Sequence, residues 1–307
     1  MKLDPQIAAT IAELDSGFPP VHTMTGAQAR AIIRSRLVVP DEPEPVAEIL
    51  DELVPGPGGD IPVRIYRPAG DELPVLIYAH GGGFVFCDLD SHDGLCRSLA
   101  NHMPAVIVSV AYRLAPEHRW PAAAEDVYAV TEAARGGAFG GDCRRLAVGG
   151  DSAGGNLATV VALMARDRGG PEVAAQLLIY PVIAADFTTE SYRLFGHGYY
   201  NPKPAMQWYW DQYVPSPADR THPYAGPLHA DLHGLPPVVL VVAGHDPLRD
   251  EALAYASALR SAAVPVTLLQ FDGGIHGFMS MPTLDIARDA RRRVGVALRS
   301  VLGSADG

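Results

Sequence analysis

A serine flanked by glycines is the first place in this chain where chemistry can be read. Val148-Gly149-Gly150-Asp151-Ser152-Ala153-Gly154-Gly155-Asn156 contains Gly150-x-Ser152-x-Gly154. A strand that turns sharply into a helix needs small residues two before and two after the turning residue, because the chain folds back on itself there. Ser152 is therefore a candidate nucleophile, its hydroxyl held at the C-terminal edge of a sheet. A serine nucleophile needs a base, a group to orient that base, and donors for the oxyanion. Asp246 and His276 each follow an apolar run directly, in Gly244-His245-Asp246-Pro247 and Gly273-Gly274-Ile275-His276. The order Ser152, Asp246, His276 is nucleophile, acid, base, and the stretch between the last two holds one helix and one strand. The oxyanion donors are expected from His80-Gly81-Gly82-Gly83-Phe84, through the N–H groups of Gly82 and Gly83, with Ala153 at the helix start as the third. The chemistry is acyl transfer.

Each choice has competitors. Asp250 and Glu251 fit the first turn of a helix, where acidic residues favour the macrodipole. His245 is an alternative base, but alternation along a strand points it away from Asp246. The triple glycine is also compatible with a phosphate cradle, yet no Lys-Ser/Thr and no helix start follow it. His80 is read as holding the loop shape.

The elements that must position these residues follow from the hydrophobic pattern. Ala47 to Leu53 and Ile61 to Tyr66 flank Pro55-Gly56-Pro57-Gly58-Gly59, a hairpin breaker. Apolar runs at Val75–Ala79, Ala105–Val110, Leu146–Gly149, Gln176–Tyr180, Val238–Ala243 and Val266–Phe271 complete about eight strands. Helices are predicted at Pro121–Arg135, Asn156–Arg168, Asp250–Ser261 and Thr283–Leu302. Buried strands alternating with helices imply a mostly parallel sheet covered on both faces, with antiparallel pairing at one edge. Two segments fall outside this rhythm. Residues 1–45 carry two short helices, Ile7–Leu14 and Thr25–Leu37, and read as an arm. Residues 181–237 read as an insertion rich in rings, among them Phe195, Tyr199, Tyr200, Trp208, Tyr209 and Trp210, for which an ordinary core satellite is the alternative. Both segments can cap the C-terminal edge of the sheet, where α/β ligand sites lie. Residues 46–307 are expected to form the catalytic domain, with 181–237 inserted in it.

Composition narrows the function classes. The chain has 307 residues, 48% hydrophobic and 19% charged, with 31 glycines and 27 prolines, which suits a large α/β core with many tight turns. A net charge of −11 makes nucleic acid an unlikely partner, and no basic amphipathic run suits an anionic membrane. Neither a signal-peptide pattern nor a membrane-length apolar run is present in the sequence. Cys87, Cys96 and Cys143 are few, odd in number and scattered, so neither a disulfide framework nor a zinc site is expected. The expectation is a cytoplasmic protein using no metal and no cofactor.

The motifs taken together resemble the hormone-sensitive-lipase-like esterases of bacteria. HGGGF at 80–84, YRLAPEHRWPAAAEDV at 112–127, GDSAGGNLA at 150–158, DPLRDE at 246–251 and HGF at 276–278 stand in that family's order and spacing. The resemblance implies an α/β-hydrolase fold with an eight-stranded sheet and a helical cap. It implies Ser152 as nucleophile, His276 as base and Asp246 as its orienter, and a mainly structural 112–127 block. The expected activity is a carboxylesterase acting on short- to medium-chain esters, since Phe84 and insertion rings such as Tyr199 and Trp208 would narrow the pocket. An amidase or specialised ester hydrolase on the same triad is the alternative. The resemblance also extends to non-catalytic small-molecule receptors, in which the triad is broken; here it is whole. A homodimer through the edge strand 266–271 is a further expectation.

Overall fold

The computed structural model describes residues 2–303. Its centre is one sheet of eight strands in the order β1-β2-β4-β3-β5-β6-β7-β8. The strands are β1 (Glu48–Gly56), β2 (Gly59–Arg67), β3 (Pro74–Ala79), β4 (Val106–Val110), β5 (Asp142–Asp151), β6 (Ala175–Ile179), β7 (Val238–His245) and β8 (Val266–Ile275). The Pro-Gly breaker closes a hairpin, so β1 and β2 pair antiparallel, and β2 pairs antiparallel with β4. From β4 to β8 every pairing is parallel. The central strands β3, β4, β6 and β7 are buried along their whole length, as strands covered on both faces must be.

Two apolar layers cover the sheet. One contains residues of α4 (Ala122–Arg135), α5 (Ala153–Arg168) and α8 (Arg249–Ser261). The other contains residues of α3 (Asp93–His102) and α9 (Asp285–Leu302). The pattern predicts about eight strands and the structure has eight at the expected places; α3 and the two helices of the 181–237 segment are not predicted.

The arm folds as α1 (Pro5–Gly17) and α2 (Gly26–Arg34). Asp4 caps α1, and Thr25 caps α2 in a capping box with Gln28, satisfying free N–H groups at both helix starts. Between β6 and β7 lie α6 (Glu190–Phe195) and α7 (Lys203–Tyr213). Arm and insertion meet: the Tyr200 amide donates to Asp15 at 2.9 Å, and the Phe18 and Tyr200 rings stand edge to face at 5.2 Å. Among the described residues no helix is long and apolar enough to cross a membrane.

Candidate active site

Ser152 sits where β5 gives way to α5, at φ 55° and ψ −116°. A non-glycine residue adopts that backbone only where its surroundings enforce it. The enforcement is steric. A Cβ on Gly154 would lie 1.9 Å from the carbonyl oxygen of Ala79, and one on Gly150 would lie 2.3 Å from the same atom. α5 is thereby pressed against β3, and the Ser152 amide donates to the Ile179 carbonyl at 2.9 Å.

The ends of β7 and β8 bring in the partners. Asp246 is fully buried, and its Oδ1 accepts from the Leu248 amide at 2.8 Å. Its Oδ2 lies 2.8 Å from His276 Nδ1, and His276 Nε2 lies 2.9 Å from Ser152 Oγ. A carboxylate only accepts, so Nδ1 carries the proton and Nε2 accepts from the serine hydroxyl. The Tyr180 ring packs at 4.9 Å on the other side of the imidazole. His245 points elsewhere, as alternation requires: its ring stacks at 5.7 Å on Tyr199 and meets Phe195 edge to face at 5.2 Å.

The glycine loop after β3 runs alongside. Gly82 and Gly83 have φ of 110° and 59°, and the Gly82 carbonyl accepts from the amides of Val85 and Phe86, each at 3.0 Å. The N–H groups of Gly82, Gly83 and Ala153 donate to no acceptor among the described residues. His80 braces the loop: its ring stacks on Tyr112 at 4.3 Å, and the Tyr112 hydroxyl donates to the His80 carbonyl at 2.7 Å. Burial, with His92 adding to it, lowers the His80 pKa to about 4, which leaves the ring neutral at neutral pH.

Several residues of this machinery escaped the sequence reading. Asp151 is buried beside the nucleophile; its Oδ1 accepts from the Tyr78 hydroxyl at 2.8 Å and the Gly81 amide at 3.0 Å, and lies 3.2 Å from His92 Nε2. Burial pushes its carboxyl upward, but His92 beside it and the Tyr78 bond hold it below the usual value. A charged residue among small ones at the end of an apolar strand was the available signal. Asn156 donates to the carbonyls of Val182 at 3.0 Å and Ala225 at 2.9 Å, pinning both ends of the insertion to α5. Glu251 corrects the macrodipole reading: it is 3% exposed and accepts from the Ile183 amide at 2.7 Å. Burial pushes its pKa well above the usual carboxylate value. Asp250 likewise accepts from the Ser191 amide at 2.7 Å.

The expected pocket residues Phe84, Tyr199 and Trp208 sit apart from the cleft beside the arm. A cleft of about 1040 Å³ opens between the arm and the sheet's C-terminal edge, lined among others by Phe18, Ile33, Cys87, Tyr200 and Met281. It approaches the site through Cys87, which packs against Gly82, and Tyr200, which packs against Gly277. Phe84, Tyr199 and Trp208 do not line it. Phe84 has φ 63°, which turns its ring away to stack on Tyr213 at 3.8 Å. Tyr199 is spent on His245. Trp208 packs on Tyr209 at 5.7 Å, and it is Tyr209 whose ring covers Gly83, where a Cβ would come within 2.4 Å. Among the described residues no group of three or more His, Cys, Asp or Glu side chains is disposed to hold a metal.

A strained serine on a strand-to-helix turn, a histidine and an acid from later strand ends, and a glycine loop beside them define an α/β hydrolase. The family model described as alpha/beta hydrolase fold matches residues 76–280, and the chain belongs to that family, the one its motifs resemble. The carboxylic ester hydrolase LipN of Mycobacterium tuberculosis is 44% identical over 82% of this chain and 70% of its own. An ethyl acetate hydrolase of Pseudomonas putida is 36% identical over 92% of this chain and 94% of its own. Among solved structures, a hyperthermophilic esterase from the archaeon Pyrobaculum calidifontis superposes with a TM-score of 0.90 at 38% identity, covering 99% of this chain and 100% of that one.

Proposed function

We propose that this protein is a serine carboxylesterase that hydrolyses short- to medium-chain carboxylic esters through an acyl-enzyme. The observation that carries the reading is the unbroken line from Asp246 through His276 to Ser152, ending beside three backbone amides with no acceptor of their own. Ser152 Oγ attacks the ester carbonyl as its proton passes to His276 Nε2. Asp246 fixes the tautomer and stabilises the imidazolium. The N–H groups of Gly82, Gly83 and Ala153 receive the charge that develops on the carbonyl oxygen, and loss of one such donor typically costs about 10²–10³ in kcat. His276 returns the proton to the leaving alcohol, and water repeats the sequence on the acyl group. Every proton in this cycle has a group of this chain to carry it.

Residues 1–45 and 181–237 serve as the cap over this site. Asp15–Tyr200 and Phe18–Tyr200 join the two segments. Tyr209 presses on the oxyanion loop and closes the space above it, which favours short acyl groups; the ethyl acetate hydrolase among the relatives acts on such an ester by its name. Three free cysteines, one of them exposed, support a reducing compartment such as the cytoplasm. The free edge of β8 supports a homodimer.

Hydrolysis of p-nitrophenyl esters from acetate to laurate tests the assignment, with a phosphonate label mapped by mass. Activity is expected to peak at short to medium chains with the label on Ser152. Ser152→Ala is expected to lose about 10⁴-fold or more in kcat while remaining folded. A variant within a few-fold of the wild type would remove Ser152 from the mechanism.

A further inference from the structure

The segment joining α2 to β1, residues 35–47, crosses the mouth of the cleft as a strap. Beyond it lies a second groove of about 720 Å³. The two share Leu37, Val38, Ser91, Ser280 and Pro282, so one runs into the other beneath the strap.

Arg291 of α9 lines this groove and is only 5% exposed. Its Nε donates to the Ala287 carbonyl of its own helix at 3.2 Å. Its two terminal nitrogens meet no acceptor, and the guanidinium meets no carboxylate, among the described residues. The terminal nitrogens are not among the polar atoms sealed from solvent, so a partner entering the groove can reach them. Three acidic side chains of the groove are already paired with arginines, while Glu42 and Glu44 line it with no salt-bridge partner among the described residues. Asp51 and Asp90 are paired with Arg64 at 2.7 and 3.0 Å, and Asp93 with Arg97 at 2.6 Å. Glu44, on the strap, accepts from Asn101 at 2.7 Å. Burial pulls the Arg291 pKa below the usual arginine range, with Glu44 opposing. The remaining edge of the guanidinium is a planar, bidentate donor fork, whose complement is a carboxylate.

We propose that Arg291 is a carboxylate-binding site at the far end of the substrate groove, filled by a small carboxylate. Two sources share that chemistry: the distal carboxylate of a half-ester whose acyl chain lies beneath the strap, and the free acid left after hydrolysis. The first source rests on the reading of Ser152 as nucleophile; the site itself does not.

Binding and turnover separate the cases. Adipate, monomethyl adipate and hexanoate are titrated by calorimetry into the folded Ser152→Ala protein, with and without Arg291→Met. Adipate is expected to bind about tenfold more weakly when Arg291 is Met, with Arg291→Lys between the two. In the active enzyme the KM for monomethyl adipate is expected about tenfold below that for dimethyl adipate, and the ratio should collapse toward one in Arg291→Met while turnover of the diester stays within a few-fold. Arg291-dependent hexanoate binding without the half-ester preference would assign the site to the free acid. Arg291-dependent adipate binding in a protein that hydrolyses no ester would keep the site and remove the esterase reading. Binding of all three unchanged in both Arg291 variants, with thermal melts showing each variant folded, would overturn the proposal.

Discussion

Ser152 occupies a backbone region that costs a non-glycine residue about 1–3 kcal/mol, and the contacts of Gly150 and Gly154 with Ala79 hold it there. That arrangement was legible because it is local: five consecutive residues specify the turn. Glu251 was not legible, because its environment comes from residues 183 and 184, far away in sequence. Its chemistry gives a prediction with a definite sign. The folded state raises the Glu251 pKa above its unfolded value, so the native protein holds this proton more tightly than the unfolded chain. The associated stability is fully present below the unfolded carboxyl pKa and is lost as pH rises toward the folded value. Glu251→Gln keeps an acceptor for the Ile183 amide and does not titrate. Its melting temperature relative to the wild type is therefore expected to rise from pH 5 to pH 8. A difference that stays flat over that interval would show that Glu251 is ionised in the fold. His80 has the opposite sign: its pKa of about 4 means that stability falls as pH drops from the unfolded histidine value through 4.

At the scale of elements, the strands, the long helices and the two arm helices follow from pattern, and α3, α6 and α7 do not. α3, DGLCRSLANH, buries Leu95, Cys96, Leu99 and Ala100 at helical spacing, but it is short and no side-chain cap marks its start. α7, KPAMQWYWDQY, advertises aromatic surface but not its destination. The fold aims it at the glycine loop: Tyr209 lies over Gly83 and meets Phe86 edge to face at 5.6 Å. The insertion thus reaches the oxyanion donors through packing. Displacement of such groups by about 1 Å can cost about 10² in rate. Tyr209→Ala is expected to lower kcat by about tenfold or more with KM for butyrate esters changed much less, because the brace acts on transition-state donors. Tyr209→Phe is expected to stay near wild type, since the hydroxyl makes no hydrogen bond among the described residues. Equal losses in both variants would show that the hydroxyl, not the ring, carries the effect. Ring content is visible in a sequence, but the positive φ that turns Phe84 onto Tyr213 is not.

Across the whole molecule, the sheet has two edges and treats them differently. β1 ends the sheet through a hairpin, while β8 pairs only with β7. The arm covers part of the β8 edge, where the Asp4 amide donates to the Gly273 carbonyl at 3.0 Å. Residues 266–271 lie before that contact and are mostly half-buried or exposed, with Val266, Leu268 and Leu269 packed on the cores from the rim. An uncovered strand edge with apolar side chains is a template for pairing. Two copies related by a twofold axis would pair these segments antiparallel and join the two sheets into one, a closed and self-complementary contact. Light scattering at micromolar concentration is then expected to give twice the monomer mass. Leu268→Glu sets like charges against each other near the axis and is expected to yield monomer. Its esterase turnover should hold within a few-fold, because His276 leaves β8 at the opposite end and each copy carries Ser152, Asp246 and His276 itself. A monomeric wild type, or a dimer unaffected by Leu268→Glu, would assign the β8 edge to no partner of its own kind.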